Sequence, residues 1–149
     1  HGILLHKTPL LCYLYYLSQI GLSISPLSNN ILFVRHKKHP FPYFFRVGLN
    51  CTLSTDDPLM IHFTKDPLIE EYSVAAQIWR LSKTDLSEIA ANSVYQSSFD
   101  ERIKAKWYGK NHGRYKINKS ICAKKNLSAI RIAFRKETFD EEMSYINGQ

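Results

Sequence analysis

No apolar run in this chain of 149 residues is long enough to cross a bilayer. A spanning helix needs about 20 apolar residues. The most apolar stretch, Leu10 to Ile24, is shorter and is broken by Ser18, Gln19 and Gly21. It also lacks the basic lead and small-residue cleavage site of a secretory signal, so it reads as a buried helix followed by a buried strand. Cysteine is scarce: Cys12, Cys51 and Cys122 are odd in number, far apart and never spaced as CxxC. That excludes a disulfide framework and a structural zinc finger, and the expected setting is reduced and cytoplasmic. Six glycines and six prolines exclude a collagen-like or low-complexity chain. There is no His-x-His pair, so a self-contained metal site is not expected. An initiator methionine is missing too. The chain opens on His1, and we expect it to be a piece of something longer.

What is present is unevenly charged. The net charge is +7, yet Arg102 to Lys136 carries twelve lysines and arginines and no acidic residue. Such a block suits an RNA-binding arm, a membrane-surface patch, a site for an anionic ligand or a surface that touches another subunit, the plainest use being a solvated basic face. Trp107 and Tyr108 beside it have the chemistry to stack a base, although a hydrophobic anchor is the plainer use.

The first two thirds of the chain alternate strands and helices. Thr8-Pro9 opens a helix in which Leu10, Leu11, Leu14 and Leu17 recur at helical spacing, and Gly21 is expected to stop it. Leu22 to Ser25 reads as a strand, Pro26 to Asn30 as a polar turn, and Tyr43 to Arg46 as a short helix. Leu49 to Leu53 reads as the next strand. Leu68 to Leu81 and Asp85 to Ser97 read as helices, the second capped by Thr84; Glu70 and Glu71 suit the positive end of the first. Beyond Phe99 the periodicity fades. Strands joined through helices imply a parallel sheet buried on both faces, with chemistry at the carboxyl ends of its strands.

Three segments fall at such ends: His1-Gly2, Ser25 to Asn30, and Ser54 to Pro58. Asp56 and Asp57 cannot share one face of a regular strand, but in a turn they can diverge, one toward a metal and the other toward a substrate N–H. His1 has the chemistry of a general base or a metal ligand. The hydroxyls and amides of Ser25 to Asn30 suit a polar ligand or simply a turn.

These residues also carry a resemblance. Leu53-Ser54-Thr55-Asp56-Asp57-Pro58-Leu59, then His62-Phe63-Thr64-Lys65, Pro67-Leu68 and Glu70-Glu71-Tyr72-Ser73, resemble the C-terminal signature of AMP deaminases. His1-Gly2-Ile3, Gln19-Ile20-Gly21-Leu22, Ser25-Pro26-Leu27-Ser28-Asn29-Asn30 and Ala91-Asn92-Ser93-Val94 are similar to the same family. The resemblance implies an α/β fold, the C-terminal portion of a (β/α)8 TIM-type metal-dependent hydrolase barrel that is incomplete in this chain. Residues 1–99 would be β/α units of that barrel, with the end of a third strand at His1. Residues 100–149 would be a basic extension packed on it.

The implied reaction is zinc-dependent hydrolysis of AMP to IMP and ammonia, with AMP and water as substrates. By resemblance, Asp56 is a ligand of Zn2+, and Asp57 holds the purine ring with Pro58, Leu59 and Met60. His1 takes the proton of the attacking water and supports the charge that develops at C6. Leu4 and Met60 depart from the family, standing where an asparagine and a polar amide are usual. The family's remaining zinc ligands and its purine-protonating glutamate are not among these residues. The chain alone is therefore expected to be inactive, and the intact enzyme to be a homo-oligomer that binds no nucleic acid. The competing expectation is a truncated, non-catalytic module that uses the basic block to bind RNA, another polyanion or a subunit.

Overall fold

Every proline of this chain marks the start of a helix. In the computed structural model, which describes residues 1–108 and 126–148, Pro9 begins α1 (Pro9–Leu17) and Pro26 begins α2 (Pro26–Leu32). Pro40 is the N-cap of α3 (Phe41–Arg46), with Pro42 at its second position. Pro58 begins α4 (Pro58–Ile61), and Pro67 begins α5 (Pro67–Trp79). The fixed φ of proline suits a first helical turn, where its missing N–H has no intrahelical partner to lose. The segment Pro26 to Asn30, expected as a turn, is therefore helical: Ser25-Pro26 carries the same signal as Thr8-Pro9. Neither hydroxyl caps its helix, and Thr8 Oγ1 donates to the Leu5 carbonyl at 3.1 Å instead.

Between these helices run two strands, β1 (Gly21–Ile24) and β2 (Asn50–Leu53). They pair in parallel with Gly21 opposite Asn50 and Ile24 opposite Leu53. Ser54 N–H donates to the Ile24 carbonyl at 2.8 Å, so the two strands finish level with one another. Their side chains meet in the same register, with Ser25 Oγ 3.0 Å from Ser54 Oγ. Parallel strands need a crossover, which α2 and α3 supply. His1 and Gly2 take no part in a strand, so the sheet of the described residues has two strands and lacks the expected end of a third.

The chain divides into two compact units, His1–Ala90 and Ala91–Gln149. The core of the first gathers Ile24, Phe41, Phe44, Leu49, Cys51 and Ala75, all essentially inaccessible to solvent. Phe41 stacks on Trp79 of α5 at 4.4 Å between ring centres. β2 is buried along its whole length, whereas β1 buries only Leu22 and Ile24 and exposes Gly21 and Ser23. The expectation of burial on both faces is thus corrected for β1, as is that of a buried first helix. α1 buries Cys12 and Tyr16, one turn apart, while Leu10 is 73% exposed and Leu11 and Leu14 are also open to solvent. It stops at Gln19, whose φ is 49° and whose side chain donates to the Tyr16 carbonyl; Gly21 is already strand.

In the second unit, α7 (Glu101–Tyr108) and α8 (Ala129–Asn147) replace the expected loss of periodicity. Tyr95 stacks on Tyr108 at 5.5 Å, and Phe99 meets Trp107 edge-on at 5.3 Å, so both aromatics of Trp107-Tyr108 serve packing. Ser128 caps α8 by accepting from Arg131 N–H. Helix α6 (Lys83–Gln96) starts at a reciprocal cap between Ser82 and Asp85 rather than at Thr84. Much of the basic block, residues 109–125, and with it Cys122 and His112, lies outside the described residues. No helix of the described residues is long and apolar enough to cross a membrane.

Candidate functional site

The carboxyl ends of β1 and β2 stand side by side, and the residues that follow each strand turn toward the same place. After β2 the chain reaches Asp56 in the left-handed region, at φ 61°. That conformation is costly for a non-glycine residue and persists only where its surroundings hold it. After β1 the chain enters α2, whose first turn carries Ser28 and Asn29, both fully buried. Ser28 Oγ donates to Asp56 Oδ2 at 2.6 Å.

His1 arrives from the other side, and its Nε2 lies 3.3 Å from Asp56 Oδ2. Each of these side chains keeps about a third of its surface open, 31% for His1 and 32% for Asp56. Gly2 makes the approach possible. Its φ is 68°, and a Cβ there would sit 2.6 Å from Leu22 Cδ2 of β1. A side chain at this position would meet both an unfavourable backbone and an occupied space.

Behind His1 runs a chain of buried polar groups. Asn29 Nδ2 donates to His1 Nδ1 at 2.8 Å, and His39 Nε2 donates to Asn29 Oδ1 at 2.9 Å. The N–H of Phe41 in turn donates to His39 Nδ1 at 3.0 Å. Burial, with the charge of His36 as a smaller cause, pushes the His39 pKa down from 6.5 to about 4. Trp79 packs on the His39 ring at 5.1 Å and donates its indole N–H to the His36 carbonyl.

A second buried pair braces α2. Glu71 of α5 accepts the N–H of Leu27 at 3.0 Å, and its other oxygen lies 2.8 Å from His62 Nε2, both side chains being fully enclosed. Burial raises the pKa of Glu71 against the opposing pull of these partners. Glu71 thus does not serve the solvent-facing dipole role its position suggested. Glu70 does stand in the first turn of α5, where it accepts from the N–H groups of Phe63 and Thr64.

Of the residues expected from sequence, the fold brings His1 and Asp56 together and adds Ser28 and Asn29 from the loop read as ligand-binding or turn. Asp57 is the exposed N-cap of α4 and makes no side-chain capping bond; Pro58, Leu59 and Met60 follow in that helix, Leu59 being 99% and Met60 86% exposed. An open, mainly apolar cavity of about 860 Å³ lies against His1, lined by residues 1–8 and by Leu11, Tyr15, Phe33 and Lys38 among others. The two aspartates are not part of its wall.

His39 was not singled out from sequence, and the pairing of Glu71 with His62 was not foreseen there. The two histidines are isolated along the chain and their partners are ten and nine residues away. The one local signal is that Pro40 and Pro42 leave Phe41 as the single backbone donor next to His39.

A catalytic zinc needs three protein ligands and a water. A carboxylate such as Asp56 is a fitting oxygen donor. Among the described residues, however, no group of three or more His, Cys, Asp or Glu side chains is placed to hold an ion. These residues can complete a metal site but not make one.

Comparison with known proteins gives one family. The sequence model of the AMP deaminases matches residues 1–149, the whole chain. A probable AMP deaminase of Oryza sativa subsp. japonica is 54% identical over 147 residues, covering 99% of this chain and 18% of that protein. AMP deaminases of Arabidopsis thaliana and Saccharomyces cerevisiae are 54% and 50% identical over 146 and 147 residues. The chain thus spans under a fifth of the length of the relatives it matches, 17% and 18% in these two cases.

Proposed function

The chain belongs to the AMP deaminase family, and on that premise we propose that it supplies part of an active site that hydrolyses AMP to IMP and ammonia. The observation that carries this reading is the meeting of His1 and Asp56, 3.3 Å apart, at the shared carboxyl end of two parallel strands. Active sites of (β/α)8 barrels are built at that end. The β1–helix–β2 unit is accordingly read as a portion of such a barrel, with the basic residues after 99 as an extension packed on it.

In this reading Asp56 would be one of the residues that hold a zinc ion, its other ligands not being gathered among the described residues. Such an ion makes bound water available as hydroxide near neutral pH. The reaction joins an oxygen of water to C6 of the purine and breaks the C6–N bond, releasing ammonia. Asp57 holds the purine ring and orients the base, with Pro58, Leu59 and Met60 beside it. His1 handles the water proton and the charge developing at C6, and Ser28 fixes the Asp56 carboxylate. The intact enzyme is read as a homo-oligomer.

Among the described residues the metal donors are too few for a catalytic zinc, and the chain by itself is read as inactive. Expressed with zinc, these residues should show no AMP turnover, whereas the same residues within a full-length enzyme should. Turnover by the isolated chain near the rate of a full-length relative would overturn the assignment of roles. The reading as a polyanion-binding module finds less support: Lys104 is engaged by Glu101 and the Tyr95 carbonyl, and Lys136 by Asp140.

A further inference from the structure

We propose that Asn29 is a positioning residue that holds the His1 imidazole with its proton on Nε2, a polarity set at the far end of the chain by the backbone N–H of Phe41. One group in the network cannot reverse. A backbone N–H only donates, so His39 Nδ1, 3.0 Å away, must accept. His39 is neutral near pH 7, because burial holds its pKa at about 4. Its single ring proton is therefore on Nε2, which faces Asn29 at 2.9 Å.

That proton needs an acceptor, which fixes the Asn29 amide with Oδ1 toward His39 and Nδ2 toward His1. The amide then donates to His1 Nδ1 at 2.8 Å, and a neutral His1 keeps its proton on Nε2, facing Asp56. Asn29 is fully buried and His39 nearly so, and a buried donor left without an acceptor is costly, so the order of donors is enforced along the whole line. Pro40 and Pro42 leave Phe41 N–H as the one donor of residues 40–42.

The catalytic meaning rests on the proposed deaminase function. A ring presented as a donor at Nε2 supports negative charge developing beside it. It offers no free lone pair at that nitrogen to take a proton first. Of the two roles the family resemblance gives His1, the geometry favours the support of charge.

The test reads the ring nitrogens directly, by two-bond 1H–15N correlation in the 149-residue chain labelled with 15N-histidine, His1 being assigned from the signals lost in H1Q. The unsubstituted chain should show a protonated Nε2 and an unprotonated Nδ1 on His1. In N29D, where the new carboxylate can only accept, the proton should move to Nδ1. A protonated Nδ1 in the unsubstituted chain, or the same tautomer in both, overturns the proposal.

A second measurement uses a full-length relative whose matching segment is replaced by these residues. There N29D and H39L should lower kcat by roughly 10–100-fold, as loss of a supporting hydrogen bond typically does, with KM little changed. H39Q, which can accept from Phe41 and donate to Asn29, should restore most of the rate. Equal losses in H39L and H39Q overturn the proposal. If the unsubstituted exchange enzyme fails to deaminate AMP, the functional reading falls, while the tautomer result still decides the role of Asn29.

Discussion

The carboxylate of Glu71 on α5 receives the backbone N–H of Leu27 at 3.0 Å, so one helix holds the first turn of another. Leu27 directly precedes Ser28 and Asn29, the residues that grip Asp56 and His1. A buried acid far along the chain thereby sets the position of the polar groups at the strand ends. Removing it strands the Leu27 N–H and the enclosed His62 together. Glu71→Ala should cost about 1–3 kcal/mol, the scale for buried hydrogen-bonding groups left without their partner. Glu71→Gln, which keeps an acceptor for Leu27, should cost less. Urea unfolding of the two variants checks both the size and the order.

Stability should depend on pH through His39. Its folded-state pKa is lowered to about 4 from an ordinary 6.5. Between those values the unfolded chain binds a proton that the folded chain refuses, so stability rises with pH across this window. Acidifying from pH 6.5 towards 4 should therefore weaken the fold progressively, and His39→Gln should remove that part of the slope. Denaturant unfolding at stepped pH measures it. An unchanged slope in the variant would show that His39 is not the group responsible.

Gly2 is constrained twice, by a φ of 68° and by Leu22 Cδ2 at 2.6 Å from any added Cβ. Gly2→Ala should destabilise the first unit by roughly 1–3 kcal/mol, the scale of one strained backbone position. Combining it with Leu22→Ala should relieve the clash but not the backbone strain. The double variant should then be more stable than the sum of the single losses implies. Thermal unfolding of the three variants supplies the comparison.

On the proposed roles, the paired aspartates should separate metal binding from purine binding. Within a full-length enzyme, Asp56→Ala should lose zinc and activity together. Asp57→Asn should keep the zinc and raise KM while lowering kcat, because Asp57 caps α4 through its backbone and its side chain makes no capping bond. Metal content by mass spectrometry beside steady-state kinetics distinguishes the two. Full metal content and normal turnover in Asp56→Ala would remove Asp56 from the site.

Much of the first unit was legible because local rules act there. Thr8-Pro9, the strand before Ser54 and the long amphipathic helix after Pro67 all formed within a few residues of their expected bounds. Ser25-Pro26 carried the same start signal, but the polar run Ser28-Asn29-Asn30 read as a turn. Ser28 and Asn29 are polar because they are buried against polar partners, whereas Asn30 alone faces solvent. The helices at 101–108 and 129–147 are not evident in the sequence because the first is short and mainly polar and the second spreads its apolar residues around the helix.

By itself the sequence determined the family, the parallel β–helix–β rhythm, and the strand end after which Asp56 lies. Those are properties of short segments and their order. Only the tertiary structure decided that α1 turns its leucines outward, that β1 is covered on one face, and that His1, Asn29, His39 and Phe41 form one line of donors and acceptors. Hydrogen bonds between residues 28 and 10 positions apart leave no periodic trace along a chain. They exist because two strands end level and bring their loops within reach of each other.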